Sequence, residues 1–267
     1  MKKEEVIKTL TEAGIKVEER ETLKDGYNVQ SLVLGDGDVK PTIHQHQYEQ
    51  IENAEELLKK AKVFLENAPK IERDKLTDKE FILENVISCI RHETADDKTV
   101  KFPVWGDLEE YFRVVLGMAE EQMMSYVINN ELIEAAELDP EELRTHARMN
   151  TEKSVEIKSM EQVMAEMCGV DCETLGIKEE PLMYVATAHG RNKGASVMLL
   201  DSVLKNFCEE HGVEEITIIP SSTEEVLLVL NKDLTEQEIN NMVNEVNLEA
   251  IDDKSMILSD HVYYYHV

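Results

Sequence analysis

Six side chains in the last third of the chain are of types that could do chemistry together: Thr187, His189, Ser221, Ser222, Asp260 and His261. A hydroxyl, an imidazole and a carboxylate are the parts of a hydrolytic triad, in which the ring takes the hydroxyl proton and the carboxylate orients the ring. All six fall where strands are expected to end and turns to begin, positions at which functional groups gather. Neither serine lies in a Gly-x-Ser-x-Gly elbow, however, and Pro220-Ser221-Ser222-Thr223 is also ordinary turn spelling. The six define a candidate polar cleft in which no residue is assigned as catalytic.

Other constellations are weaker. His44 and His46 would share one face of a strand and make half of a metal site, with no third ligand in view. Cys168 and Cys172 are separated by three residues where zinc sites favour two, and no second pair matches them. Gly190-Arg191-Asn192-Lys193-Gly194, between a strand and a helix, could hold an anion at the helix start but lacks both phosphate-loop spacings. Asp107, Glu109 and Glu110 could serve acid/base chemistry and read better as the solvated entry to a strand. No metal ligand set and no cofactor site is expected.

The elements that must position these groups follow from periodicity and turn chemistry. Near-continuous apolar runs at 182–187 and 216–219 read as strands covered on both faces, joined by a helix over 195–210 that Gly212 closes. That order suggests a parallel crossover, and 226–230 would return antiparallel after the serine turn. Earlier, a helix over 2–13 precedes strands at 17–23 and 27–34 around Asp25-Gly26, then a strand at 40–46 and a helix at 52–65. Thr77-Asp78-Lys79-Glu80 reads as a capping box for a helix burying Ile82, Leu83, Val86, Ile87 and Ile90. Strands at 108–117 and 123–129 and a short helix at 131–137 come next. Asp139-Pro140 and Ser159-Met160-Glu161-Gln162 open two further helices, Thr235-Glu236-Gln237-Glu238 opens another, and 262–265 forms an edge strand.

The whole reads as an α+β (mixed α/β) fold. A small N-terminal α-β lobe over 1–98 meets a larger C-terminal lobe over 99–267, whose mixed sheet contains the strand-helix-strand-hairpin unit with helices packed on it. The charged stretch 91–101 marks the boundary.

Composition narrows the function classes. Asp and Glu number 56 against 28 Lys and Arg, a net charge of -28, with most of the excess after residue 100. Such a field repels phosphates, so direct nucleic-acid binding is not expected, while a protein partner, and a basic one in particular, suits it. No apolar run is long enough to span a bilayer, and four scattered cysteines do not make a disulfide framework, so a cytoplasmic setting without a membrane role is expected.

Several segments carry a resemblance. Pro41-Thr42-Ile43, Asn129-Asn130-Glu131-Leu132, Ile219-Pro220-Ser221-Ser222 with Glu225-Val226-Leu227, Val243-Asn244-Glu245-Val246-Asn247 and Leu258-Ser259-Asp260-His261-Val262-Tyr263 are similar to an acidic bacterial family catalogued only as a domain of unknown function. The similarity runs from about residue 40 onward. The family usually has an aromatic or acidic pair at His44 and His46 and often a tryptophan at Ala135-Ala136. The resemblance implies a fold order and a bacterial cytoplasmic setting and brings no activity, substrate or catalytic residue.

The function expected is that of a non-enzymatic interaction or regulatory protein. Two alternatives stay open: a nucleic-acid-mimicking inhibitor or anti-defence factor, suggested by acid-rich 107–142 and 209–253, and a hydrolase with a polar site around the Ser221/Ser222 turn.

Overall fold

The computed structural model describes residues 1–24, 27–37, 40–119, 122–170, 181–230 and 256–267, in which helices pack against three antiparallel sheets. The fold is mixed α+β. The helix expected at 235 lies outside the described residues, as does Cys172.

The N-terminal sheet has the order β1 (Val17–Lys24), β2 (Tyr27–Leu34), β3 (Thr42–His44). Helices α1 (Lys3–Glu12), α2 (Gln45–Glu49) and α3 (Ala54–Glu66) pack on it, and Val6, Leu10, Leu32, Ile43, Tyr48 and Leu57 form their shared core. The strand expected over 40–46 is shorter than its span because Gln47 Oε1 accepts from His44 N at 2.9 Å and turns the chain into α2.

A four-stranded sheet follows. Its centre is β6 (Leu108–Ala119), flanked on one side by β4 (Val86–His92) and on the other by β5 (Lys101–Val104) and then β7 (Gln122–Val127). The helix expected to run through Ile90 is cut short. α4 (Lys79–Asn85) is capped by Asp78, which accepts from Phe81 N at 2.8 Å, and Val86 turns extended. Val86, Ile87 and Ile90 are β-branched and β4 is buried on both faces, which favours a strand over a helix exposed on one side. The boundary expected at 98/99 falls between β4 and β5, both of which pair with β6, so the sheet itself crosses it. α5 (Asn130–Ala135) and α6 (Pro140–Glu152) follow, with Leu143 and Ala147 of α6 packed in one core with Phe112, Val114 and Ile82.

The third sheet has the order β12 (Tyr263–His266), β10 (Glu215–Ile219), β11 (Glu225–Val229), β9 (Met183–Thr187), β8 (Glu156–Ser159). Every ladder in it is antiparallel, which corrects the expected mixed sheet. The strands β9 and β10 do run in the same direction, but β11 lies between them. The short turn after β10 places β11 beside it, and β11 pairs with β9 on its other edge. The helix expected over 195–210 divides at Leu200, whose backbone is extended. It becomes a wholly buried 3-10 segment Gly194–Leu199 and the helix α8 (Asp201–His211), closed by Gly212 in the left-handed region. α7 (Met160–Cys168) is capped by Ser159 as its spelling predicts, with Gln162 completing the box. Ile90 and Leu108 join the core of this sheet, so the second and third sheets share one apolar cluster.

Candidate functional site

All six expected polar residues lie along one rim of the five-stranded sheet, where β9 and β10 end and β11 and β12 begin. Among the described residues they fall into separate hydrogen-bonded groups. Ser221 Oγ donates to Glu225 O at 2.9 Å, and Ser222 Oγ accepts from Glu224 N at 3.0 Å, so both hydroxyls build the turn between β10 and β11. No hydrogen bond joins either serine to His189 or His261 among the described residues. The parts of a triad are present without the proton path that would activate a nucleophile.

The first group surrounds Thr187 and His189. Thr187 Oγ1 donates to Glu224 O at 2.7 Å. Ser154 Oγ donates to Thr151 O at 3.0 Å, so this hydroxyl accepts from His189 Nδ1 at 2.8 Å and leaves Nε2 as the unprotonated nitrogen. Nε2 is buried and has no hydrogen-bond partner among the described residues, and burial pushes the imidazole down to about 4. The loop after it holds His189, Gly190, Arg191 and Lys193 in the left-handed region. The anion this loop could cradle is supplied by the chain: Glu224 Oε2 accepts from Lys193 N at 2.9 Å, and Glu225 lies 3.5 Å from Arg191. Gly194 is obligatory here, because a Cβ would stand 2.0 Å from Thr187 Oγ1 and 2.4 Å from Glu224 O.

The second group is centred on Asp107, in the turn between β5 and β6. Tyr263 OH donates to Asp107 Oδ1 at 2.7 Å and Ser259 Oγ to Oδ2 at 3.3 Å. Two imidazoles flank the carboxylate, His92 at 3.4 Å and His261 at 3.6 Å. His261 Nδ1 also meets Asp260 at 3.0 Å, a hydrogen bond that holds the Asp260 carboxyl below its ordinary range. Burial, with the Asp107 charge beside it, raises the Tyr263 phenol. Ser259 Oγ also lies 3.1 Å from His261 Nδ1, so a hydroxyl, two imidazoles and two carboxylates meet at a half-exposed surface.

Glu109 and Glu110 overturn the reading of a solvated strand entry, since both are buried. Successive residues of a strand face opposite ways. Glu109 meets Arg91 at 2.6 Å and Lys101 at 2.8 Å, and Glu110 meets Arg144 at 2.8 Å and Arg148 at 2.7 Å. Burial pushes the Glu109 carboxyl up, but hydrogen bonds from Lys101, Thr94 and Arg91 outweigh it and hold the group below its usual range. A signal for the second set was present in sequence: Arg144 and Arg148 are one helical turn apart. His44 and His46 stack with ring centroids 6.0 Å apart at the junction of β3 and α2, not on one strand face, and among the described residues no three His, Cys, Asp or Glu groups are placed to hold a metal.

Residues 2–267 match the model of a family of unknown function, DUF5688. The chain belongs to that family. The match extends past the segment from residue 40 that carries the resemblance. No curated protein and no solved structure matches this DUF5688 member, and no helix among its described residues is long and apolar enough to cross a membrane.

Proposed function

We propose that this DUF5688 protein is a non-enzymatic interaction protein that docks a basic partner protein on its acidic surface. The observation that carries the reading is where the cations go. Arg91, Lys101, Arg144 and Arg148 turn inward to Glu109 and Glu110. Outside, Glu131, Glu134 and Glu137 on and after α5 are exposed and form no ion pair among the described residues. Uncompensated surface carboxylates speed the encounter with a basic surface and select for it, more than they add affinity. In this reading the protein works in a bacterial cytoplasm, and the buried thiol of Cys208 suits a reducing compartment.

Affinity capture from the native host at low and at high salt tests the proposal. A basic protein should be retained at low salt, released as salt rises, and lost with the double variant Glu131→Lys, Glu134→Lys. Recovery of nothing above background would end it. Displacement of the partner by duplex DNA would move the reading to a nucleic-acid mimic.

A further inference from the structure

We propose that the cleft between α8 and the β8–β9 ladder binds a small quaternary ammonium ion. Successive turns of α8 supply one wall. Val203, Phe207 and His211 stand four residues apart, as do Asn206 and Glu210, so all five share the face of the helix that lines the cleft. The five-stranded sheet supplies the other wall. Ser159 of β8 pairs with Tyr184 of β9, which puts both on one face of the sheet, with Ile157 two residues along. The same alternation sends Glu156 and Lys158 to the opposite face, into the cleft of about 290 Å³ beside Thr187. The space enclosed between α8 and the ladder is about 340 Å³.

Three rings meet there. Tyr184 and Phe207 are edge to face, with centroids 5.1 Å apart and planes at 79°, and His211 lies 4.8 Å from Tyr184 and 4.5 Å from Phe207. Phe207 is part of the core cluster and Tyr184 packs against it, so the rings are set in place before any ligand arrives. The face of an aromatic ring attracts a cation, and rings at steep angles to one another can meet it from more than one side. Two further sources of negative potential act at the same place. The carboxylate of Glu210 is exposed at the rim, and α8 ends at His211, so the negative end of its dipole faces the cleft mouth. A quaternary ammonium carries a charge but no N–H donor, which suits walls that are mostly rings. Ser159 N donates to Gln162 Oε1 at 2.9 Å and holds that amide beside the cleft for a polar tail. The volume lies at the low end of the range of about 300–1,000 Å³ for small-molecule sites, which fits a body the size of choline.

The docking proposal concerns a protein partner, and this site is tested without one. Choline titrated at pH 8 into the full chain, in about 0.15 M sodium chloride to screen diffuse attraction, should bind saturably at millimolar concentration. Ring currents should move its N-methyl proton signal upfield. 3,3-Dimethylbutan-1-ol, the same shape with carbon in place of the charged nitrogen, should bind at least about fivefold more weakly. His211→Leu removes a ring and keeps an apolar side chain, and Glu210→Gln removes the charge; each should weaken choline by about threefold or more. Neither side chain is buried and both lie in the last turn of α8, so both variants fold. Absence of saturable binding, equal binding of choline and the alcohol, or full affinity in either variant would overturn the assignment.

Discussion

Two pairs of adjacent polar residues, Glu109–Glu110 inside the four-stranded sheet and Ser221–Ser222 on the rim of the five-stranded one, meet the demand for partners in opposite ways. A hydroxyl can be satisfied by backbone a few residues away, and both serines are. A buried carboxylate needs counter-charge, and local backbone cannot supply it. Glu110 gathers Ser88 from β4 and two arginines from α6, while Glu109 gathers Arg91 from β4 and Lys101 from β5. The charged pair thus ties together elements distant in sequence, and the serine pair shapes only its own turn. The suggestive serines on the rim are local structure, and the buried carboxylates hold elements of the architecture together.

The largest test of that contrast is Glu110→Ala. It leaves Arg144 and Arg148 facing a void and removes the acceptor of Ser88 Oγ. Removing one member of a buried ion pair costs about 3–5 kcal/mol, so the urea midpoint should fall steeply. A loss under about 1 kcal/mol would show that the pair is no clamp and that the distinction between interior and rim fails.

His189 is the rim group closest in character to the interior. An unfolded histidine titrates near 6.5, whereas His189 in the folded chain is held down to about 4 by burial. Between those values the unfolded state binds a proton that the folded state refuses, so stability is lost as pH falls through that window, by about 2 kcal/mol at pH 5. Asn tolerates the left-handed backbone at this position. His189→Asn should therefore remove that slope, which the difference between urea unfolding curves of the two proteins at pH 7 and pH 5 isolates from the carboxylates common to both. Parallel losses in the two proteins would mean that the ring is not sealed.

Local features were legible in the chain and long-range ones were not, for a physical reason. Asp139, Ser159 and Gly212 sit at the helix ends their spelling announces, because capping is decided within four residues. The edge strand β12 and the hairpin β10–β11 likewise follow from short patterns. What decides whether Val86–His92 is helix or strand is burial on both faces, which depends on β6 and α6 arriving later in the chain. The insertion of β11 between β9 and β10 is equally a tertiary outcome. At the candidate site, Asp260 and His261 were legible as neighbours, but the Asp107 carboxylate that completes their group comes from a different sheet.

Ser221→Ala carries the smallest expected effect and the sharpest discrimination. The substitution removes one donor to Glu225 O, but that carbonyl also accepts from Ser222 N at 3.3 Å and is not orphaned. The cost should therefore stay at the low end of a single net hydrogen bond, about 0.5 kcal/mol, with partner capture unchanged. A nucleophile behaves otherwise: its replacement leaves folding intact and abolishes turnover by orders of magnitude. If a hydrolytic activity of this protein vanished with Ser221→Ala at unchanged stability, the turn would hold a reacting group that moves off Glu225 O when substrate binds. The serine pair would then be the functional half of the comparison and the acidic pair its scaffold.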